Sequence, residues 1–96
     1  MNEGEFEWDA AKAERNFVKH GVSFEAAQYI FDDVFGCERC DLDSEPGEIR
    51  YVITGMVKDV VLTVVYTERG SRTRIISARR ATTHEQTEYY RSQTAQ

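Results

Sequence analysis

Ninety-six residues suffice for one domain and not for two ordinary ones, and 41% hydrophobic with 30% charged residues is the composition of a folded chain rather than a disordered one. The formal net charge of −5 excludes a uniformly basic surface, yet residues 1–49 hold thirteen acids against four bases and residues 50–96 hold four acids against eight bases. Residues 69–80 contain Arg69, Arg72, Arg74, Arg79 and Arg80 and no acid, and the local field rather than the total charge decides whether such a strip attracts a polyanion. No apolar run approaches the roughly 20 residues of a membrane span, so no membrane partner is expected. The acidic opening Met-Asn-Glu-Gly-Glu lacks the basic-then-apolar pattern of a secretory signal, which makes the cytoplasm the expected location.

Phe6-Glu7-Trp8 alternates in polarity and predicts a short strand or anchored arm. Asp9 is positioned as the N-cap of a helix over residues 10–20, which Gly21 would end, with Lys19 and His20 in the last turn, where positive charge is favoured. Ser23 would cap a second, largely apolar helix running to about Phe31. Residues 33–48, with Gly36, Pro46, Gly47 and many acids, read as loop and as the most mobile segment. From Arg50 the polarity repeats every second residue. This predicts strands over 50–55, 60–67 and 72–78 joined by turns at 56–59 and 68–71, an antiparallel meander. In the last strand Arg72, Arg74 and Ile76 would share one face and Thr73, Ile75 and Ser77 the other. Thr82 and Glu85 form a capping-box pattern ahead of a helix over 83–91, with a frayed tail at 94–96. The expected fold is α+β, one domain over residues 1–96. Two N-terminal helices and one C-terminal helix pack on a small antiparallel sheet.

The chemistry is less sharply marked. Cys37 and Cys40 form a C-x-x-C, but only His20 and His84 could complete a metal site, and neither lies at zinc-finger spacing. Packing cysteines are therefore the expectation, and no cofactor is implied. No phosphate loop, dinucleotide fingerprint, H-E-x-x-H or nucleophile elbow is present. RNA cleavage without a metal needs a base for the 2′ proton, an acid for the 5′ oxygen and cations for the phosphorane charge. His20 suits proton transfer near neutrality, Arg79 and Arg80 suit the anion, and Lys19 and Glu85 could assist. Arg72 and Arg74 could bind the RNA backbone, and Tyr89 could stack on a base. Each also has a structural reading: Lys19 and His20 as helix-end charges, Glu85 as a capping residue, Tyr89 as core packing.

The stretch F-E-W-D-x-x-K-A-x-x-N-x-x-K-H-G-V-S-F-x-x-A from Phe6 to Ala27 resembles the opening of the BrnT toxins. V-V-Y-T-E-R-G-x-x-x-R-I-I-S-A-R-R-A-T from Val64 to Thr82 resembles their second signature, and Glu85 and Tyr89 match the E-x-x-x-Y that follows. With Arg50-Tyr51 the resemblance spans nearly the whole chain. It implies a RelE-like fold, RNA cleavage that arrests growth, and neutralisation by a cognate antitoxin protein that carries the DNA-binding domain. DNA would be met only through that antitoxin, and a homodimer stays open. The resemblance carries Lys19, His20, Arg79, Arg80, Glu85 and Tyr89 as site matches. Residues 35–45 depart from the family, with the C-x-x-C and extra acids where a proline-containing loop is common. Two other readings stand beside it. One is a non-enzymatic binding module whose arginine strand docks an acidic partner segment. The other is a DNA-binding regulator, which neither N-terminal helix favours because neither is basic.

Overall fold

A computed structural model describes residues 5–41 and 46–94. In chain order the elements are β1 (Phe6–Glu7), α1 (Ala10–His20), α2 (Phe24–Ala27), β2 (Cys37–Cys40), β3 (Arg50–Val57), β4 (Val60–Arg69), β5 (Arg72–Arg80) and α3 (Thr83–Thr94), with a 3-10 turn at Gln28–Asp32 continuing α2. The strands form one sheet in the order β1-β5-β4-β3-β2. The meander is antiparallel, and β1 adds a parallel edge, pairing Phe6 with Thr73 and Glu7 with Arg74. The chain is an α+β protein with helices on a mixed, mainly antiparallel sheet.

The helix signals in the sequence act as expected. The Asp9 carboxylate accepts from the Ala11 amide at 2.9 Å, and Gly21 ends α1 at φ 71°, a left-handed conformation that glycine adopts without cost. Ser23 caps α2 through the Ala26 amide. Thr82 and Glu85 exchange both bonds of the capping box, at 2.8 and 3.1 Å. Helix α3 runs on to Thr94, three residues past the expected end. Helix α2 keeps α geometry only to Ala27 and tightens to 3-10 beyond it. Tightening brings Ile30 onto β3, where Gly55 admits it: a Cβ on Gly55 would lie 2.9 Å from Ile30 Cγ1.

Two expectations are corrected. Residues 37–40 are not loop: they form β2, the outer strand against β3, with Cys37 opposite Thr54 and Cys40 opposite Tyr51. Residues 42–45, part of the segment expected to be most mobile, lie outside the described residues, as do 1–4 and 95–96. The second correction concerns β5. Its register against β4 shifts between Val65, opposite Ser77, and Tyr66, opposite Ile75, so Ile76 is an extra residue in a β-bulge. The simple alternation therefore fails. Ile75 and Ala78, three apart, both face the core. Arg79 returns to the face of Arg72 and Arg74, and Arg80 is turned to the opposite one.

The main core lies on the α1/α2 face, where Phe24, Ala27, Ile30, Ile53, Leu62, Val64, Ile75 and Ala78 are buried. Full burial of each larger side chain contributes about 1.5–3 kcal/mol. Asn16 closes the open edge of β5 beyond the short β1. Its amide nitrogen donates to the carbonyls of Val22 and Ala78, at 3.0 and 2.8 Å, and its oxygen accepts from the Ala78 amide at 3.2 Å. One side chain thus takes the place of a neighbouring peptide. Among the described residues the opposite face is covered at one end, where Tyr89 and Ala81 pack on Val61 and Met56. No described helix is long and apolar enough to cross a membrane.

Candidate functional site

The half-covered face carries the arginines. Directly paired strand residues point to the same side. The register therefore puts Arg39 of β2, Arg50 of β3, Arg69 of β4 and Arg72, Arg74 and Arg79 of β5 on one surface. Arg39 stands in the row of Val52, Val65 and Ser77, and Arg79 in the row of Cys37, Thr54 and Thr63. Among the described residues, carboxylates answer several of them. Glu7 accepts from Arg74 at 2.7 Å, Glu48 from Arg50 at 3.0 Å, and Glu85 is shared by Arg79 and Arg39. Arg69 and Arg72 are exposed and make no ion pair among the described residues. The surface is an arginine-rich one on an acidic protein.

Glu85 organises this surface. Its oxygens accept from Arg79 Nη1 and Nη2 at 2.8 and 3.0 Å, a two-pronged pair that fixes the guanidinium plane. Oε1 also accepts from the Thr63 hydroxyl at 3.0 Å and the Thr82 amide at 2.8 Å, and Thr63 is bonded to Thr54. Arg39 reaches Oε2 across the same face, from the edge strand β2, at 3.6 Å. The Arg79 bond, with the help of the Thr82 and Thr63 donors, outweighs burial and holds the Glu85 carboxyl down at about 2. The same bond pushes Arg79 above its ordinary value. Glu85 is thus a permanent anion near neutrality that orients Arg79. Arg79 gives one further donor to the Arg80 carbonyl at 3.2 Å, which leaves two of its five donors for a ligand. Beside this node lies an open cleft of about 530 Å³ lined by Arg39, Thr54, Thr82, His84, Glu85 and Glu88, among others.

The other residues singled out from the sequence fall elsewhere. Arg80 is exposed on the opposite side of the sheet from Arg79. The chain from β1 through α1 follows β5 in the same direction, from Phe6 beside Thr73 to Asn16 beside Ala78, so Lys19 and His20 lie toward the Arg79–Arg80 end of the strand but with α1 on the core face, opposite Arg79. Lys19 is exposed, His20 is partly buried, and neither makes a side-chain hydrogen bond or ion pair among the described residues. Tyr89 is only 2% exposed, and its hydroxyl donates to Asp33 Oδ2 at 2.5 Å. Burial and that carboxylate push the phenol up to about 12. Its ring packs α3 onto the sheet and offers no free face to a base; the stacking role expected of it is replaced by an anchoring one. Burial raises the Asp33 carboxyl, but donors from the Met56 amide, Tyr89 and the Phe35 amide outweigh it and hold the group below its usual range.

Cys37 and Cys40 are three apart on a strand and point to opposite faces, which prevents a disulfide or a shared metal within it. Cys37 lies 3.2 Å from the Ser92 hydroxyl under α3. Among the described residues no group of three or more His, Cys, Asp and Glu side chains is arranged to hold a metal. Arg39, the far partner of Glu85, escaped the sequence reading because its segment looked like loop.

Comparison with known proteins gives one family. A family model described as "Ribonuclease toxin, BrnT, of type II toxin-antitoxin system" matches residues 8–85. No curated protein matches the chain. The match spans α1, the whole sheet except β1, and the start of α3 as far as Glu85 itself.

Proposed function

The chain belongs to the BrnT family of ribonuclease toxins of type II toxin–antitoxin systems, and from that premise we propose that it is an endoribonuclease that cleaves RNA without a metal ion and so inhibits translation. The observation that carries the reading is the arginine face with Arg79 held rigid by Glu85. A guanidinium that is already oriented loses little entropy on meeting a phosphate and can carry the charge of the phosphorane as it develops. RNA would run across the sheet with its backbone against Arg72 and Arg74 and the reacting phosphate between Arg79 and Arg39. The 2′ oxygen would attack its own phosphorus, and the 5′ oxygen would leave with a proton. Lys19, His20 and Arg80 lie across the sheet from Arg79 and would meet RNA only where it wraps the edge of β5.

The same surface suits neutralisation by a cognate antitoxin. A partner segment rich in carboxylates would pair with the arginines and exclude RNA. Contact with DNA would come only through that partner, and both proteins would meet in the bacterial cytoplasm. The test is controlled expression of the native chain and of Arg79→Ala in growing bacteria, with primer extension on cellular RNA. The native chain should stop growth and create new 5′ ends, and Arg79→Ala should lower cleavage by about 10²-fold or more. Unbroken RNA and unchanged growth with folded native protein overturn the reading. In that event, binding of an acidic peptide by the arginine face would support the non-enzymatic alternative.

A further inference from the structure

We propose that His84 is a catalytic residue of this cleft, the base that takes the 2′-hydroxyl proton. The proposal rests on the ribonuclease reading and identifies a group that neither the family signature nor the spacing of the sequence singles out. Most of the titratable side chains that line the cleft are already engaged. Cys37 is engaged with Ser92 and the Phe35 carbonyl. Glu38 accepts from the Tyr66 hydroxyl on the other face of the sheet. Glu85 is committed to Arg79, Arg39, Thr63 and the Thr82 amide. Glu88 accepts from Arg91 at 3.1 Å. Tyr89 is held by Asp33. His84 is exposed and has neither a side-chain hydrogen bond nor an ion pair among the described residues.

Its position fits the work. His84 precedes Glu85 on the first turn of α3, so the helix that carries the anchor of Arg79 also carries the imidazole. The groups that face it are Glu85 and Glu88 of its own helix, Arg39 of β2 and, through Glu85, Arg79 of β5. A phosphate held by the free donors of Arg39 and Arg79 would have its ribose at the His84 rim. Neutral imidazole accepts the 2′ proton as the O2′–P bond forms. The P–O5′ bond then breaks, and the 5′ oxygen takes a proton from water. The products are a 2′,3′-cyclic phosphate and a 5′-hydroxyl, and the imidazolium returns its proton to solvent. Imidazole is suited to this because one ring nitrogen carries a free lone pair that accepts the proton.

The test uses the full chain, a short single-stranded RNA and its 2′-O-methyl counterpart, which binds but cannot react. His84 is exposed, so His84→Ala and His84→Gln should leave the urea unfolding midpoint at the native value. The native protein should show an acidic limb in its cleavage rate, rising to a plateau near neutrality. Both variants should lose that limb and about 10²–10⁴-fold in rate, keep their affinity for the 2′-O-methyl strand, and in the alanine case regain part of the rate with added imidazole. A variant that cleaves at the native rate with the same limb overturns the role of His84 and leaves the ribonuclease reading standing. A parallel loss of 2′-O-methyl binding also overturns it, because the residue would then be holding RNA rather than moving a proton. Failure of the native protein to cleave removes both proposals together.

Discussion

Replacing Glu85 by glutamine keeps an acceptor for the Thr82 amide and the Thr63 hydroxyl, and glutamine also serves in a capping box. What it removes is the charge that Arg79 and Arg39 share. In the native protein the carboxyl moves from an ordinary 4.5 to about 2 on folding. A fall of that size corresponds to about 3 kcal/mol of preference for the ionised form, reduced to about 1–2 kcal/mol by solvent around the half-exposed Arg79. Because the folded-state value is depressed, this stability is complete above about 4.5 and is lost as the pH falls toward about 2. Thermal and urea unfolding of native protein and Glu85→Gln, followed by circular dichroism from pH 7 to pH 2, measure the difference. At pH 7 the variant should melt about 5–15 °C lower, and the gap should close progressively below about pH 4.5. Equal stability at pH 7, or a gap that persists unchanged to pH 2, refutes the view that the ion pair orders this end of the sheet.

Asn16→Ala strands the Ala78 amide and two carbonyls in a buried setting and should cost about 2–4 kcal/mol in urea unfolding with an unchanged m-value. Gly55→Ala drives a methyl against Ile30 and should cost about 1–3 kcal/mol by the same measurement. Tyr89→Phe deletes the donor to the Asp33 carboxylate and should lower stability by about 1.5–3 kcal/mol. Well below its melting temperature, however, it should cleave RNA at the native rate, since the ring is buried.

The helix ends were legible in the sequence because each is written in two or three adjacent residues: Asp9 and Gly21, Ser23, and Thr82 with Glu85. Strands β3 and β4 were legible because β-branched runs alternate over their length. Strand β2 was not, because an edge strand of four residues reading Cys-Glu-Arg-Cys buries too little to show a period. The bulge at Ile76 was also hidden, since Ile75 and Ile76 are equally apolar and nothing local says which one is extra. That one residue decides the site. Arg79 and Arg80 face opposite ways in any case, and the extra residue makes Arg79 rather than Arg80 the one that joins Arg72, Arg74 and Arg39. The ribonuclease reading asked that Lys19, His20, Arg79 and Arg80 converge on one surface, and the register instead sets Arg79 on the face opposite Arg80 and α1. Only the position of Asn16 against Ala78 brings the end of α1 near that end of β5.

The central claim is that the arginine face binds RNA and promotes attack by the 2′ oxygen. The most direct measurement is incubation of the purified chain with a single-stranded RNA and the same sequence as DNA, both in excess chelator, with the termini of the products identified. The account predicts RNA fragments ending in 2′,3′-cyclic phosphate and 5′-hydroxyl, with the DNA bound but intact. Cleavage of the DNA as well, or cleavage that appears only when a divalent metal is restored, would contradict it.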